Sequence, residues 1–218
     1  MSCEYYIFTG HFGSGKTETA LNFAKKKAKE GKDVTIVDLD IVNPYFRTAD
    51  AKETLKESGI SLIASEFANS NLDMPTVAPE VMSVFYKKDG IVIFDVGGDE
   101  DGAYALGQFR RFLTDYKMFF VVNTKRPMTS CTAELEEMAH LIENASGLKI
   151  SGIVNNTNLG AATDENTLMS DIDVISELSE KIGVPVVMHS GLAEALKNLP
   201  DKEKAFEIEI TIKMPWQI

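Results

Sequence analysis

Residues 10–17 read Gly10-His11-Phe12-Gly13-Ser14-Gly15-Lys16-Thr17, a complete G-x-x-x-x-G-K-[ST] phosphate-binding loop, and no other stretch constrains the fold so tightly. The apolar run Tyr5–Phe8 leads into it and a helix-forming segment opens at Thr17. Each residue type has a physical reason. Gly10, Gly13 and Gly15 let the backbone approach phosphate oxygens without a Cβ in the way. The amides from Gly13 to Thr17 then form an anion nest at a helix N-terminus. Lys16 is expected to face the ligand outside the core, its ammonium on the outer phosphates, where it acts in catalysis. The Thr17 hydroxyl is a natural Mg2+ ligand. His11, Phe12, Ser14 and Glu18 complete the candidate nucleotide contacts. The competing reading, a glycine turn that matches by chance, must also explain the strand before it and the helix after it.

Short apolar runs alternate with helical periodicity along the rest of the chain. Strands are expected at Tyr5–Thr9, Val34–Asp38, Ser61–Ala64, Ile91–Asp95, Met118–Asn123, Ile150–Asn155 and Pro185–His189. Helical faces are set by Ala20, Leu21, Ala24 and Ala28, by Leu135, Met138, Ala139 and Ile142, and by Leu168, Ile172, Ile175 and Ile182. Strands that are apolar throughout, each followed by an amphipathic helix, imply a three-layer α/β fold: a mostly parallel sheet with helices on both faces. Near the C-terminus, Phe206, Ile208, Ile210 and Ile212 alternate with Glu207, Glu209 and Thr211, as in a half-exposed edge strand. Trp216 follows, either packed on its own domain or meeting a partner. No linker, repeat or low-complexity segment interrupts the pattern, so residues 1–218 are read as a single nucleotide-binding domain.

Two expected strands end in carboxylates, Val37-Asp38-Leu39-Asp40 and Phe94-Asp95. In an open parallel sheet, ligands sit beyond the carboxyl ends of the strands. Asp38, Asp40 and Asp95 should therefore gather beside the loop, where Mg2+ and an attacking water need oxygen partners. Any one of them alone reads equally as a loop or helix cap. Asp95-Val96-Gly97-Gly98 also has the D-x-x-G form that lets a backbone amide turn toward a γ-phosphate. Asp99, Glu100 and Asp101 make the next turn acidic, read as solvated.

The net charge of −11 argues against charge-driven nucleic-acid binding, which needs a positive surface. The basic run Lys25-Lys26-Lys27 with Lys29 reads as a solvated helix face. No run of about 18 apolar residues is present, so no membrane span is expected. The sequence shows no leader, and Cys3 and Cys131 lack metal-ligand spacing, which together suggest a reducing, cytoplasmic setting.

With these pieces placed, the chain resembles the MinD/ParA/CobQ-type P-loop proteins from Tyr5 to Leu196. That group includes cell-division and partition ATPases, metal-centre maturation ATPases and amide-forming enzymes. The resemblance rests on the glycine loop, Val37-Asp38-Leu39-Asp40, the strand ending at Asp95, and Gly152-Ile153-Val154-Asn155. It implies that Asp40 positions the attacking water, that Asp38 lies nearer the metal with Asp95 and Thr17, and that Asn155 reads the adenine edge. His189-Ser190-Gly191 falls where a further base-contacting loop is implied. His11 stands where many members carry a second lysine that reaches a partner subunit's nucleotide, and histidine is shorter and mostly neutral at pH 7. Phe12 either packs under the loop or meets a partner.

The expected function is a Mg-ATP-dependent hydrolase that switches a protein partner, with a homodimer as a second mode of assembly. A small-molecule amide-forming or phosphoryl-transfer enzyme, a GTPase and a binding-only nucleotide sensor are the alternatives. ATP is favoured over GTP because neither Asn155-Asn156-Thr157-Asn158 nor Asn123-Thr124-Lys125-Arg126 supplies the carboxylate of an N/T-K-x-D guanine reader. Lys125-Arg126-Pro127 reads as a helix-entry turn or as a cation near the nucleotide. The segment Asn43-Pro44-Tyr45-Phe46-Arg47 is expected to respond to nucleotide state.

Overall fold

Strands with apolar side chains in both directions must be covered on both faces, and here one eight-stranded sheet meets that demand. The computed structural model describes residues 3–40, 52–64, 79–98 and 100–211. Strands β1 (Glu4–Thr9), β2 (Val34–Leu39), β3 (Ser61–Ala64), β4 (Ile91–Val96), β5 (Tyr116–Val122), β6 (Gly152–Asn155), β7 (Val186–Gly191) and β8 (Ala205–Glu207) run in the order β3-β2-β4-β1-β5-β6-β7-β8. Every pairing is parallel. Helices are α1 (Lys16–Lys29), α2 (Lys52–Glu57), α3 (Pro79–Ser83), α4 (Glu100–Gly107), α5 (Thr132–Ser146) and α6 (Ile172–Ile182). Among the described residues no helix is long and apolar enough to cross a membrane.

The period-2 pleat divides each central strand between two cores. Ile7, Val37, Leu39, Val92, Phe94, Val96, Phe120 and Val122 join one, with Ala103, Leu106, Leu135, Ala139, Ile142 and Ile175 from the helices. Tyr6, Phe8, Val34, Ile36, Ile91, Ile93, Phe119 and Val121 join the other, with Ala20, Leu21, Phe23 and Ala24 of α1. Each fully buried aromatic or aliphatic side chain contributes about 1.5–3 kcal/mol. Phe120, at the centre of the sheet and wholly buried, should cost about 3–5 kcal/mol on truncation to alanine.

One expected helical face is divided. Leu168 lies in a 3-10 turn ahead of α6 and packs with Ala195, Leu196 and Leu199, away from Ile175. The expected C-terminal edge strand is present but short. β8 pairs with β7, Ile208 N still donates to Gly191 O at 2.9 Å, and the chain then leaves the sheet for α1. Asn22 of α1 grips the backbone of Glu209 both ways, Nδ2 donating to its carbonyl at 2.9 Å and Oδ1 accepting from its amide at 2.9 Å. The basic run of α1 shares in this strap: Lys25 Nζ donates to Thr211 Oγ1 at 2.7 Å and Lys26 Nζ lies 5.3 Å from the Phe206 ring centre. Ile212 and Trp216 fall outside the described residues.

Candidate functional site

The phosphate loop joins β1 to α1, which begins at Lys16, one residue earlier than expected. Gly15 caps the helix with φ 86°, a left-handed conformation that favours glycine. A second constraint acts on the same atom, because a Cβ on Gly15 would stand 2.0 Å from Asn156 Nδ2. That amide donates to Ser14 O at 2.7 Å, clasping the loop from the end of β6. The nest is narrower than expected. Ser14 N is spent inside the loop on His11 O at 3.0 Å, whereas the amides of Gly13, Gly15, Lys16 and Thr17 meet no acceptor among the described residues. These four donors lie at the positive end of the α1 dipole, where an anion is stabilised.

Lys16 departs from its expected exposure. The residue is only 6% exposed, and its ammonium lies 3.1 Å from Asp40 Oδ2. A buried ammonium needs a counter-charge, and the carboxylate at the end of the D-x-D sequence provides it. Asp38 Oδ1 in turn accepts from Asp40 N at 3.0 Å, so the first aspartate fixes the turn that aims the second. Asp38 and Asp95 are register partners on β2 and β4. Their neighbours Ile36 and Ile93 pack on α1, so the pleat turns both carboxyl groups to the face that carries Thr17. All three aspartates are buried. The D-x-x-G glycine also touches the loop, since a Cβ on Gly98 would stand 2.3 Å from Gly10 O. Among the described residues no three His, Cys, Asp or Glu side chains gather as a metal cluster. Magnesium at a phosphate site needs no such cluster, because it takes one or two protein ligands beside phosphate and water oxygens. Thr17, Asp38 and Asp95 fit that hard-oxygen donor set.

The opposite flank is built from amides. Asn155 is fully buried and its side chain is spent within the fold: Nδ2 donates to Leu168 O at 3.0 Å, and Oδ1 accepts from Thr157 N and Oγ1. His189 Nδ1 lies 3.3 Å from the same Nδ2, and burial holds the His189 pKa below its ordinary value. The residue that reaches the loop is Asn156, its neighbour, which sequence reasoning passed over. From β5, Arg126 Nε donates to Gly13 O at 3.2 Å. Lys125 pairs with Asp171 at 2.8 Å. Burial pushes the Asp171 pKa up, but bonds from Lys125 and Thr124 outweigh it and leave the group below its usual range.

Two further candidate contacts, Glu18 and Phe12, flank the loop. Both carboxylate oxygens of Glu18 accept from Thr211 N, at 3.0 and 3.1 Å, directing this side chain toward the C-terminal strap. Phe12 is 53% exposed. With His11, Asp40, Gly98, Glu100 and Met128 it lines a cleft of about 750 Å3 that runs from the loop toward α5. His11 Nδ1 lies 3.0 Å from Phe12 O. Of the acidic turn, Glu100 and Asp101 are exposed in the first turn of α4, while Asp99 and the segment Asn43–Arg47 fall outside the described residues.

Comparison with known proteins agrees with this architecture. The model of the CobQ/CobB/MinD/ParA nucleotide binding domain matches residues 6–186. No curated protein sequence matches the chain closely enough to count as a relative. Among solved structures, FtsY from Mycoplasma mycoides superposes with a TM-score of 0.60 at 15% identity, covering 86% of this chain and 60% of that one. The cell division protein FtsY of Thermotoga maritima gives 0.59 at 19% identity, covering 88% and 63%. A nucleotide-binding protein from Archaeoglobus fulgidus in complex with ADP gives 0.55 at 16% identity, covering 85% and 80%. The chain thus spans less than two thirds of either FtsY structure, and at these identities the likeness is one of fold. The family match covers most of the sequence and includes the loop, both carboxylate strands and Asn155: the chain belongs to the CobQ/CobB/MinD/ParA family of P-loop nucleotide-binding proteins.

Proposed function

We propose that residues 1–218 form one nucleotide-binding domain that hydrolyses ATP with Mg2+ and uses the cycle to switch a protein partner in the cytoplasm. The observation that carries this reading is the buried contact between Lys16 and Asp40, which ties the phosphate loop to the D-x-D strand end. The amides of Gly13, Gly15, Lys16 and Thr17 take the phosphate oxygens. Lys16 then exchanges its carboxylate for the outer phosphates, where its charge counts most as the transferring group pulls away. Asp40, released from the ammonium, is left at the cleft with an acceptor for the attacking water's proton. Thr17 Oγ1, Asp38 and Asp95 would hold Mg2+, which would supply positive charge against the charge developing on the phosphates. Asn156 takes the base edge, with Asn155 bracing the loop behind it.

ATP is favoured over GTP because Asn155-Asn156-Thr157-Asn158 supplies neither the lysine nor the carboxylate of a guanine reader. The protein-partner reading draws on the mouth of the cleft, where exposed Phe12 and Met128 stand beside Glu100. Cleft and loop share His11 and Phe12, so a partner there would feel the loop's state.

Phosphate release from Mg-ATP with no added acceptor tests the proposal. The parent chain should turn over, and Asp40→Asn should slow it on the order of 10²-fold with a much smaller change in affinity. Release only when a small carboxylate acceptor is added would favour an amide-forming enzyme. Tight ADP retention without turnover would leave a sensor.

A further inference from the structure

Arg126 stands across the loop from the carboxylates, and the phosphate chemistry above does not use it. A firm turn delivers it there. Asn123 Oδ1 accepts from Lys125 N at 3.0 Å and from Asn158 N at 3.1 Å, tying the ends of β5 and β6 together. Arg126 N donates to Asn123 O at 3.3 Å. Thr129 Oγ1 donates to Asn123 O at 2.7 Å and lies 3.1 Å from Arg126 O. Met128, at φ 63°, is the one described non-glycine residue in the left-handed region, which marks the turn as constrained. From this base the guanidinium reaches back to the loop. Besides the bond from Nε to Gly13 O, a Cβ on Gly13 would stand 3.2 Å from Nε and 3.5 Å from Cζ. The guanidinium therefore lies close against the Gly13 backbone. Arg126 is exposed, and among the described residues its two terminal nitrogens have no partner.

Sheet order fixes what this position faces. Asp38 and Asp95 lie on β2 and β4 to one side of β1, whereas Arg126 and Asn156 follow β5 and β6 on the other. A nucleotide whose terminal phosphate meets the carboxylates must lead its nucleoside out over the second side. There Arg126 and Asn156 hold consecutive loop carbonyls, Gly13 O and Ser14 O. We propose that Arg126 is a nucleoside clamp: its guanidinium, pinned by Nε to Gly13 O, stacks on the purine while Asn156 takes the base edge. The clamp rests on the nucleotide-binding reading and deepens it by assigning the ring face to one residue. A planar guanidinium suits this role because it stacks on π faces while still donating at its rim, which a lysine ammonium does not do. Stacking accepts any purine, so it supplies affinity and leaves discrimination to the edge.

The test titrates the parent, Arg126→Ala and Arg126→Lys with Mg-ADP and with Mg-tripolyphosphate, which has no base. Arg126→Ala should weaken ADP by about 5- to 30-fold and leave tripolyphosphate within about twofold. Arg126→Lys should recover little of the ADP loss. An equal loss for both ligands would make Arg126 a phosphate contact or a loop brace. Unchanged ADP affinity would make it a surface residue. Either result overturns the clamp while the nucleotide reading stands. A parent chain that binds neither ligand overturns the nucleotide reading itself, and the clamp with it.

Discussion

On one flank of the phosphate loop β2 and β4 present carboxylates, Asp38, Asp40 and Asp95, and Asp40 lies in contact with the loop lysine. On the other flank β5 and β6 present amides and a guanidinium, Asn156 and Arg126, bonded to loop carbonyls. On the proposed reading the acidic flank handles charge that develops during reaction, so its side chains should act on rate. The amide flank lies on the nucleoside side in the same reading, so its side chains should act on nucleotide affinity. Gly15 joins the two, because its neighbours on either side are Lys16, which meets Asp40, and Ser14, which meets Asn156. Rate and affinity should therefore separate by flank and fail together in the loop itself, at Gly15 and Lys16.

The largest effect is expected at that junction. Gly15→Val places a branched side chain at φ 86° and drives a Cβ into Asn156 Nδ2. Backbone strain of about 1–3 kcal/mol adds to the loss of the clasp. Nucleotide binding should fall on the order of 10²-fold, with a lowered unfolding temperature in the same sample. A variant that binds and unfolds like the parent would mean that the flanks are not coupled through the loop.

Crossing the flanks gives the next largest contrast. Asp40→Asn should lower the turnover number far more than it weakens binding, whereas Asn156→Ala should weaken Mg-ADP by about tenfold and leave the turnover at saturation nearly unchanged. Steady-state kinetics on both variants decides it. If both shift rate and affinity alike, the division is wrong.

The acidic flank was legible in the sequence and the amide flank was not. Buried strands such as Val34–Leu39 and Ile91–Val96 announce themselves as apolar runs, and an aspartate at such a strand's end stands out against them. Asn156 lies beside Asn155 with nothing in composition or period to say which amide turns inward and which reaches the loop. Its partner Ser14 is 142 positions away, and Gly13 is 113 positions from Arg126. Pairings that distant depend on how strand ends meet in space. Lys16 shows the same limit from the other side, because its buried pairing with Asp40 follows from where β2 ends relative to the loop. The C-terminal alternation correctly indicated an edge strand. The strap onto α1 was hidden, since it depends on the side-chain amide of Asn22 in a helix that reads as solvated beyond its apolar face.

Smaller effects sharpen the picture away from the loop. Asn22→Ala removes both bonds to Glu209 and should cost about 1–3 kcal/mol in chemical denaturation, with turnover within about twofold of the parent. A large loss of turnover would make the strap part of the site. The least effect is expected from His189. Burial lowers its pKa in the folded chain, so the unfolded chain takes up the proton first as pH falls. Its contribution to stability is complete well above the ordinary value of about 6.5 and declines below it. His189→Gln should flatten the fall in unfolding temperature between about pH 7 and pH 5. An unchanged slope would place the acid sensitivity elsewhere.

On the proposed reading Lys16 holds nucleotide phosphates in the loop, with Asp40 as its partner until it does. Titrating Mg-ATP into the parent and into Lys16→Ala tests it directly, at a temperature where circular dichroism shows both to be folded. That control matters because the variant leaves Asp40 buried without its ammonium and should be less stable than the parent. The parent should bind saturably and the variant should lose on the order of 10²-fold in affinity. Equal affinity in the two chains, or no binding by the parent, would contradict it.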